Sequence, residues 1–166
     1  MKKFCVIGNP IDHSLSPKLH NFWFKKNKIN AIYEKKLLKD EEIPELVNSL
    51  RKTEINGVNV TVPFKNFIIP FLDDLSSEAK KTNSVNTLLK EGDKIIGHNT
   101  DIAGFELAIR YINYDVKRKK AFIIGAGGVS PSIIFALKNM GCEDISLTNR
   151  NLNKAEKIKE IFKDIT

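Results

Sequence analysis

The sequence contains few cysteines and no long apolar run. Its 166 residues include two cysteines, Cys5 and Cys142, which are too few for a disulfide framework or a cysteine-based metal cluster. We expect both to be buried as small hydrophobic residues. No apolar stretch approaches the roughly 20 residues of a membrane span, and Asn9-Pro10 interrupts the apolar segment near Met1 too early for a secretory leader. These absences favour a cytoplasmic protein with no membrane partner and no metal.

Acidic residues are outnumbered by basic ones, 20 to 27, which gives a formal net charge of +7. A basic surface can attract nucleic acid. However, the one basic run is 117–120, and acidic residues interleave with basic ones almost everywhere else. We therefore expect no nucleic-acid partner, and the hydrophobic fraction of 42% is typical of a globular domain.

The first part of the chain alternates between strand and helix patterns. The predicted elements are strands at 4–7, 31–38 and 57–62, helices from residue 16 and over 40–52, helical pieces at about 65–71 and 75–82, a hairpin of 84–90 and 94–98, and a helix over 101–113. Ser16 is predicted to be the N-cap of the first helix, with Pro17 at the first helical position. The helical spacing of Phe22 and Trp23 favours a place in the core.

The alternation restarts after a basic linker. The pattern predicts a strand over 120–124, a glycine turn over 125–128, a helix over 129–140, a strand over 145–149 and a helix over 153–163. This βαβα order begins a doubly wound Rossmann domain. We predict an α/β fold: a domain over 1–113 with a mostly parallel sheet, then the first part of a Rossmann domain over 114–166.

Polar residues follow two of the predicted strands. Asn59 and Thr61 share one face of the third strand, and Lys65 lies just past its carboxyl end, where open α/β sheets place ligands. A solvated edge strand would show the same alternation, so both interpretations stay open. Ser14 and Ser16 follow the first strand at the start of a helix, where two hydroxyls and free N–H groups can bind an anion.

Two further motifs lie between 83 and 101. Asn86 belongs to Asn-Ser-Val-Asn-Thr, and Asp101 ends Gly-His-Asn-Thr-Asp. Asp101 can cap the helix that follows it. Beside a lysine in a cleft, it can instead hold that lysine charged or exchange a proton with it.

In order along the chain, these motifs resemble those of the shikimate dehydrogenases. The matching motifs are Ser14-x-Ser16-Pro17, Asn59-Val-Thr61-Val-Pro-Phe-Lys65, Val85-Asn86-Thr87, Asn99-Thr100-Asp101, Gly125-Ala-Gly-Gly128 and Asn149-Arg150. The resemblance spans residues 4 to about 155, and several motifs in register make it specific. It implies reversible reduction of 3-dehydroshikimate to shikimate with NADP, on the route to chorismate and the aromatic amino acids.

The resemblance also implies roles for individual residues. Ser14 and Ser16 would bind the substrate carboxylate, and Lys65 and Asp101 would form the catalytic pair. The residues implied to bind the ring hydroxyls are Asn59, Thr61, Asn86 and Asp101, with Lys65 also touching substrate. Negative charge develops on oxygen as hydride reaches a carbonyl, and an ammonium group can stabilise and protonate it.

A strand, glycine turn and helix in sequence predict a nucleotide site. The implied cofactor residues are Gly125, Ala126, Gly127, Gly128, Val129, Ser130, Asn149, Arg150 and Lys154. No acidic residue stands at the end of the second strand to hold a ribose hydroxyl, whereas Arg150 suits a 2′-phosphate, so NADP is favoured over NAD. Pro131, Ser132 and Asn151 depart from the family pattern.

Three alternatives remain open from the sequence. The chain can be a non-catalytic, substrate-binding fragment of such an enzyme, since a full Rossmann domain needs further strands. It can also belong to the quinate/shikimate dehydrogenases that use NAD, although Ser16 and Arg150 argue against that subtype. The assembly can be a homodimer, which no motif decides.

Overall fold

The computed structural model describes residues 1–166, and the chain divides into two compact units. The first unit comprises 1–79 and 85–98, and the second comprises 80–84 and 99–166. The helix that begins at Asp101 therefore lies in the second unit, whereas the sequence pattern groups it with the domain over 1–113. The reason is that it packs against the helix Ser130–Asn139.

The first unit is built on one six-stranded sheet. Its strands are β1 (Lys2–Gly8), β2 (Ala31–Leu37), β3 (Gly57–Val60), β4 (Asp74–Leu75), β5 (Thr87–Glu91) and β6 (Lys94–His98), in the order β2-β1-β3-β5-β6-β4. Strand β1 pairs in parallel with β2 and β3, and β4 with β6, while β5 is antiparallel to β3 and β6. This arrangement confirms the predicted α/β class with a mostly parallel sheet.

Short helices connect and cover these strands. They are α1 (Ser16–Lys26), α2 (Ile43–Arg51), α3 (Phe64–Phe67) and α4 (Ser77–Thr82), with 3-10 turns at Asp40–Glu42 and Ile69–Phe71. The apolar face of α2 packs on the sheet and contributes Ile43 and Leu50 to a core that also contains Val58, Phe64 and Leu88. Each fully buried side chain of this size stabilises the fold by about 1.5–3 kcal/mol.

Helix α1 differs from its prediction in two respects. Phe22 and Trp23 are 59% and 45% exposed, so their predicted place in the core is wrong. The helix instead turns Phe24 toward the small cluster around Tyr33. The predicted N-cap at Ser16 is also wrong: Ser16 is the first helical residue, and its N–H donates to the hydroxyl of Ser14 at 3.4 Å.

The second unit contains the predicted βαβα pattern. Its elements are α5 (Asp101–Tyr111), β7 (Lys120–Ile124), α6 (Ser130–Asn139), β8 (Asp144–Thr148) and α7 (Leu152–Ile161). Strands β7 and β8 pair in parallel. Ile134, Ile145 and Ile158 form the centre of the core, and the alternate side chains Phe122 and Ile124 are exposed.

The two cysteines lie in different environments. Cys5 is buried, as predicted, and burial raises the pKa of its thiol to about 11. Cys142 is only partly buried, contrary to prediction, and its thiol donates to the carbonyl of Lys119 at 3.1 Å. No helix in the chain is both long enough and apolar enough to cross a membrane.

Candidate functional site

The candidate substrate residues of the first unit converge at one edge of its sheet. Strands β1 and β3 end at this edge, and the antiparallel β5 begins there. Backbone hydrogen bonds hold the three segments together: Thr61 N–H donates to the Ile7 carbonyl at 2.9 Å, and Val60 N–H to the Asn86 carbonyl at 2.8 Å. The predicted residues gathered around this edge are Ser14, Ser16, Asn59, Thr61, Lys65 and Asn86.

Ser14 and Ser16 lie at the start of α1, and both are half-buried. The loop before them is closed by the bond from Ser14 N–H to the Ile11 carbonyl at 3.0 Å. No acidic residue stands in the first turn of α1. Such a helix start carries partial positive charge from its unpaired N–H groups, which suits an anionic group.

Lys65 is the second residue of α3 and is only 9% exposed. Its backbone carbonyl accepts a hydrogen bond from Val85 N–H at 2.8 Å, which ties α3 to the segment preceding β5. Charge interactions are stronger in the interior than in water because the local dielectric is lower. A buried ammonium group in this position can therefore stabilise negative charge on a ligand oxygen.

Asn59 has its side-chain amide held at both ends. Its Oδ1 accepts from the hydroxyl of Tyr33 at 2.6 Å, and its Nδ2 lies 3.0 Å from Thr87 Oγ1 and 3.3 Å from the Asn86 carbonyl. The remaining acceptor capacity of Oδ1 is what Asn59 can offer to a ligand hydroxyl. The sequence alternation placed Asn59 correctly off the buried face of β3, but gave no sign of Tyr33.

Asp101 belongs to the second unit and begins α5. Its N–H donates to Oδ1 of Asn99 at 3.0 Å, and the helix cap is Thr100, so Asp101 is not the capping residue. Asn99 is buried, and its Nδ2 lies within 3.0 Å of the Thr82 hydroxyl, the Ser84 carbonyl and the Ser132 hydroxyl. This network fixes the backbone from which the Asp101 carboxylate projects.

The glycine turn of the second unit is closed by its own side chains. Gly125 has a φ of +116°, which an L-residue rarely adopts. The Ser130 hydroxyl donates to the Gly125 carbonyl at 2.8 Å and accepts from Gly127 N–H at 3.0 Å. Asn149 Oδ1 accepts from Ala126 N–H at 3.2 Å. Ser130 and Asn149 therefore shape the turn, and Gly127 N–H is already engaged within it.

The space beside this turn is open. A Cβ added at Gly125 or Gly127 would meet no atom within 4 Å, so a ligand can approach the backbone closely. The turn leads into α6, whose first turn has no acidic residue. The other predicted cofactor residues nearby are Gly128, whose carbonyl accepts from the Ser84 hydroxyl at 2.8 Å, and Val129, which is 42% exposed.

Arg150 and Lys154 lie just after β8 and in the first turn of α7, and both are exposed. Neither β8 nor the loop after it ends in a carboxylate that would repel a 2′-phosphate. Asn149 Nδ2 donates to the Asn151 carbonyl at 2.8 Å, so the loop that carries Arg150 is held against the glycine turn. The open turn and the basic loop fit a phosphorylated dinucleotide.

Nothing in the sequence indicated that three side chains hold residues of the candidate site in place. They are Tyr33, Ser84 and Ser132. Ser132 departs from the family pattern at a buried site, and its bond to Asn99 explains why a hydroxyl is accommodated there. A buried hydroxyl needs a partner, but partners this far apart along the chain leave no local pattern.

Comparison with known families gives two matches along the chain. The family described as "Shikimate dehydrogenase substrate binding domain" matches residues 6–88. The family described as "Shikimate / quinate 5-dehydrogenase" matches residues 106–166.

Curated proteins include close relatives. A "Shikimate dehydrogenase (NADP(+))" of Pelagibacter ubique is 58% identical over 164 residues, covering 99% of this chain and 62% of the relative. A protein of the same name from Caldanaerobacter subterraneus is 40% identical, covering 98% of this chain and 58% of the relative. The chain thus spans about three fifths of the length of these relatives.

Solved structures agree with the fold. A shikimate dehydrogenase from Aquifex aeolicus superposes with a TM-score of 0.91 at 36% identity, covering 100% of this chain and 62% of that one. A shikimate 5-dehydrogenase from Thermus thermophilus, solved in complex with NADP(H) and shikimate, gives 0.89 at 33% identity, covering 100% and 63%.

Proposed function

This chain belongs to the shikimate dehydrogenase family, and from that premise we propose that it serves the reversible, NADP-dependent interconversion of shikimate and 3-dehydroshikimate. This is the reaction that leads toward chorismate and the aromatic amino acids. The observation that carries the proposal is the convergence of Ser14, Asn59, Thr61, Lys65 and Asn86 at one sheet edge. These are the residue types needed for a small carboxylated polyol.

Different residues of the first unit bind the carboxylate and the ring hydroxyls of the substrate. Ser14 and Ser16, at the positive end of α1, bind the carboxylate. Asn59, Thr61 and Asn86 bind the ring hydroxyls, because amide and hydroxyl groups can both donate to and accept from an alcohol. A buried site of this kind discriminates strongly against analogues that lack a hydroxyl, since its polar groups would then be left unpaired.

Lys65 carries the proton chemistry. When shikimate is oxidised, the reacting hydroxyl passes its proton to the neutral amine of Lys65 as hydride leaves, and the ammonium group that forms stabilises the negative charge on that oxygen. In the reductive direction, Lys65 donates a proton to the same oxygen as the carbonyl becomes an alcohol. The family resemblance implies that Asp101 binds a ring hydroxyl and is the second member of the catalytic pair.

The second unit holds the nucleotide. Gly125–Ser130 approach the pyrophosphate, with Asn149 and Ser130 keeping the turn in shape. Arg150 and Lys154 neutralise the 2′-phosphate, for which a guanidinium fork is well suited. NADP, when bound, supplies the hydride acceptor that alcohol oxidation requires.

Two measurements on the chain of residues 1–166 test this proposal. The first is titration with shikimate by calorimetry, and the second is NADPH formation at 340 nm with shikimate. Binding together with turnover supports the full proposal. Binding without turnover supports the substrate site and the alternative of a non-catalytic binding fragment. Absence of binding contradicts the proposed function.

Variants at two lysines make the measurement specific. Lys65→Ala removes the proposed proton donor, so turnover should fall by several orders of magnitude while shikimate still binds. Lys52→Ala is the matched control, because Lys52 is exposed after α2, before β3 begins. Equal activity of the two variants would contradict the role of Lys65.

A further inference from the structure

Tyr33 has a buried phenol hydroxyl that the proposed mechanism does not use. Its side chain is 3% exposed, and the hydroxyl donates to Oδ1 of Asn59 at 2.6 Å. Tyr33 lies on β2 and Asn59 on β3, and β1 separates these strands in the sheet. The phenol therefore reaches across a neighbouring strand to contact a proposed ligand-binding side chain.

Tyr33 is itself held firmly in place. Its ring stacks on the His20 imidazole with centroids 4.2 Å apart and planes 4° from parallel. The Asn21 side chain bonds the Tyr33 backbone twice, donating to its carbonyl at 2.8 Å and accepting from its N–H at 2.9 Å. Helix α1 thus fixes both the ring and the backbone, so the hydroxyl has little freedom to choose another partner.

The hydroxyl begins a chain of side-chain hydrogen bonds with one direction. Asn59 accepts from Tyr33 at Oδ1 and donates through Nδ2 to the Thr87 hydroxyl at 3.0 Å. The Thr87 hydroxyl in turn donates to Oδ1 of Asn86 at 3.0 Å. The Asn86 backbone carbonyl, which can only accept, lies 3.3 Å from Asn59 Nδ2, and the phenol donates to Oδ1 at the other end of the amide. These two contacts together set the orientation of the Asn59 amide, and the Thr87 hydroxyl, which accepts from Asn59, passes that direction on to Asn86.

We propose that Tyr33 is a positioning residue that sets the orientation of the Asn59 and Asn86 amides toward the ring hydroxyls. The identity of the ligand rests on the proposed function, whereas the orientation of the amides does not. Without the phenol donor, the Asn59 amide keeps only the contacts of Nδ2 with the Asn86 carbonyl and the Thr87 hydroxyl, and its Oδ1 loses the partner that holds it in place. A ligand hydroxyl that needs an acceptor there would then meet an Oδ1 that is no longer held at one position.

The protonation state of Tyr33 agrees with this role. Burial raises the pKa of its phenol well above the usual range. The hydroxyl therefore remains a donor at neutral pH.

The first test needs no ligand. In the labelled chain of residues 1–166, the side-chain NH2 resonances of Asn59 and Asn86 are identified by their loss in Asn59→Asp and Asn86→Asp. We expect Tyr33→Phe to shift both pairs of resonances. Tyr114→Phe removes a hydroxyl from an exposed tyrosine and should shift neither. Unchanged Asn59 and Asn86 resonances in Tyr33→Phe would overturn the proposal.

A second variant interrupts the chain at its middle. Thr87→Val removes the link between the two amides and leaves Tyr33 in place, so the Asn86 resonances should shift. If Tyr33→Phe lowers the yield of folded protein, Thr87→Val still tests the link between the two amides. Unchanged Asn86 resonances in this variant would overturn the proposed control of Asn86.

Shikimate affinity measured by calorimetry gives the functional test. We expect Tyr33→Phe to weaken binding about tenfold, as loss of one oriented hydrogen bond does. The same substitution in an Asn59→Ala background should add no further loss, because Tyr33 acts through Asn59. Equal losses in both backgrounds would show a merely structural role and overturn the proposal. If the unmodified chain binds no shikimate, the proposed function fails, and the ligand-free resonances alone decide the orientation.

Discussion

The side-chain nitrogen of Asn99 lies 2.8 Å from the hydroxyl of Ser132, within the buried network of the second unit. The same nitrogen is also 3.0 Å from the Thr82 hydroxyl and 3.0 Å from the Ser84 carbonyl. An amide nitrogen has two hydrogens, so three acceptors share two donors. One contact, such as the one with Ser132, can therefore be lost while both hydrogens keep an acceptor.

Substitutions at Asn99 and Ser132 should have unequal effects on stability. Ser132→Ala removes one of three acceptors, and alanine favours the helix, so the free energy of unfolding should fall by less than about 1 kcal/mol. Asn99→Ala removes the whole amide and the acceptor for Asp101 N–H, with an expected loss of about 2–4 kcal/mol. Urea unfolding measures both values. Equal losses would contradict this sharing of donors.

Ser14 and Lys65 should separate binding from turnover. Ser14→Ala removes a proposed carboxylate contact, so the Kd for shikimate should rise about tenfold. Lys65→Ala should change this Kd by only a few-fold, because its main interaction strengthens as charge develops on the reacting oxygen. Calorimetry with each variant checks the pair. A larger affinity loss in Lys65→Ala than in Ser14→Ala would reverse the assignment.

Arg150→Ala should change nucleotide preference. The guanidinium group is proposed to contact the 2′-phosphate, which NAD lacks, so NADP binding should weaken about tenfold to a hundredfold while NAD binding stays the same. Lys157→Ala is a suitable control, since Lys157 is an exposed lysine on the helix that follows Arg150. Titrations of both nucleotides provide the measurement. A parallel loss of NAD affinity would instead indicate that Arg150 supports the fold of the loop.

The strand–helix alternation could be predicted from the sequence because it depends on local patterns. The apolar run over 120–124 predicted strand β7. The Glu91-Gly92-Asp93 turn predicted the hairpin that β5 and β6 form, and the predicted bounds of these strands lie within a few residues of the observed ones. The exposure of Trp23 could not be predicted, since periodicity shows that a helix has an apolar face but not what covers it. The two-residue β4 is too short to produce a pattern.

The candidate site, too, could be predicted only where it depends on local sequence patterns. Lys65 and Asn59 could be predicted because they are polar residues near the carboxyl end of a predicted strand. The carboxyl ends of parallel strands lie at one edge of the sheet, where ligands bind. The bond between Tyr33 and Asn59 joins residues 26 positions apart across an intervening strand. Its formation depends on sheet order, which no local pattern contains.

The ion pair of Arg51 and Asp73 should make stability depend on pH. Arg51 donates to the Asp73 carboxylate at 2.8 and 3.2 Å, and Ile95 N–H donates to it at 2.7 Å. The Arg51 hydrogen bonds, followed by the one from Ile95, lower the pKa of Asp73 below its ordinary value of 3.8. The pair therefore stabilises the fold above that ordinary value, and the contribution is lost as the pH falls through the lowered pKa.

Asp73→Asn tests this dependence. The variant should be less stable than the unmodified chain at pH 7, by a small amount because the pair is exposed. The difference should shrink as the pH falls below 3.8 and the unmodified carboxylate becomes protonated. Thermal midpoints of both proteins across this range give the answer. A difference that stays constant with pH would exclude Asp73 as its source.

Gly127 stands where a methyl group would touch nothing, and its φ lies outside the left-handed region. Folding therefore does not require glycine at this position. Gly127→Ala would restrict the unfolded chain and stabilise the protein by about 0.4–1 kcal/mol. The same methyl would occupy the space through which we propose that a pyrophosphate reaches the backbone. A directed-evolution screen scored on heat resistance alone would thus enrich this substitution and discard nucleotide binding.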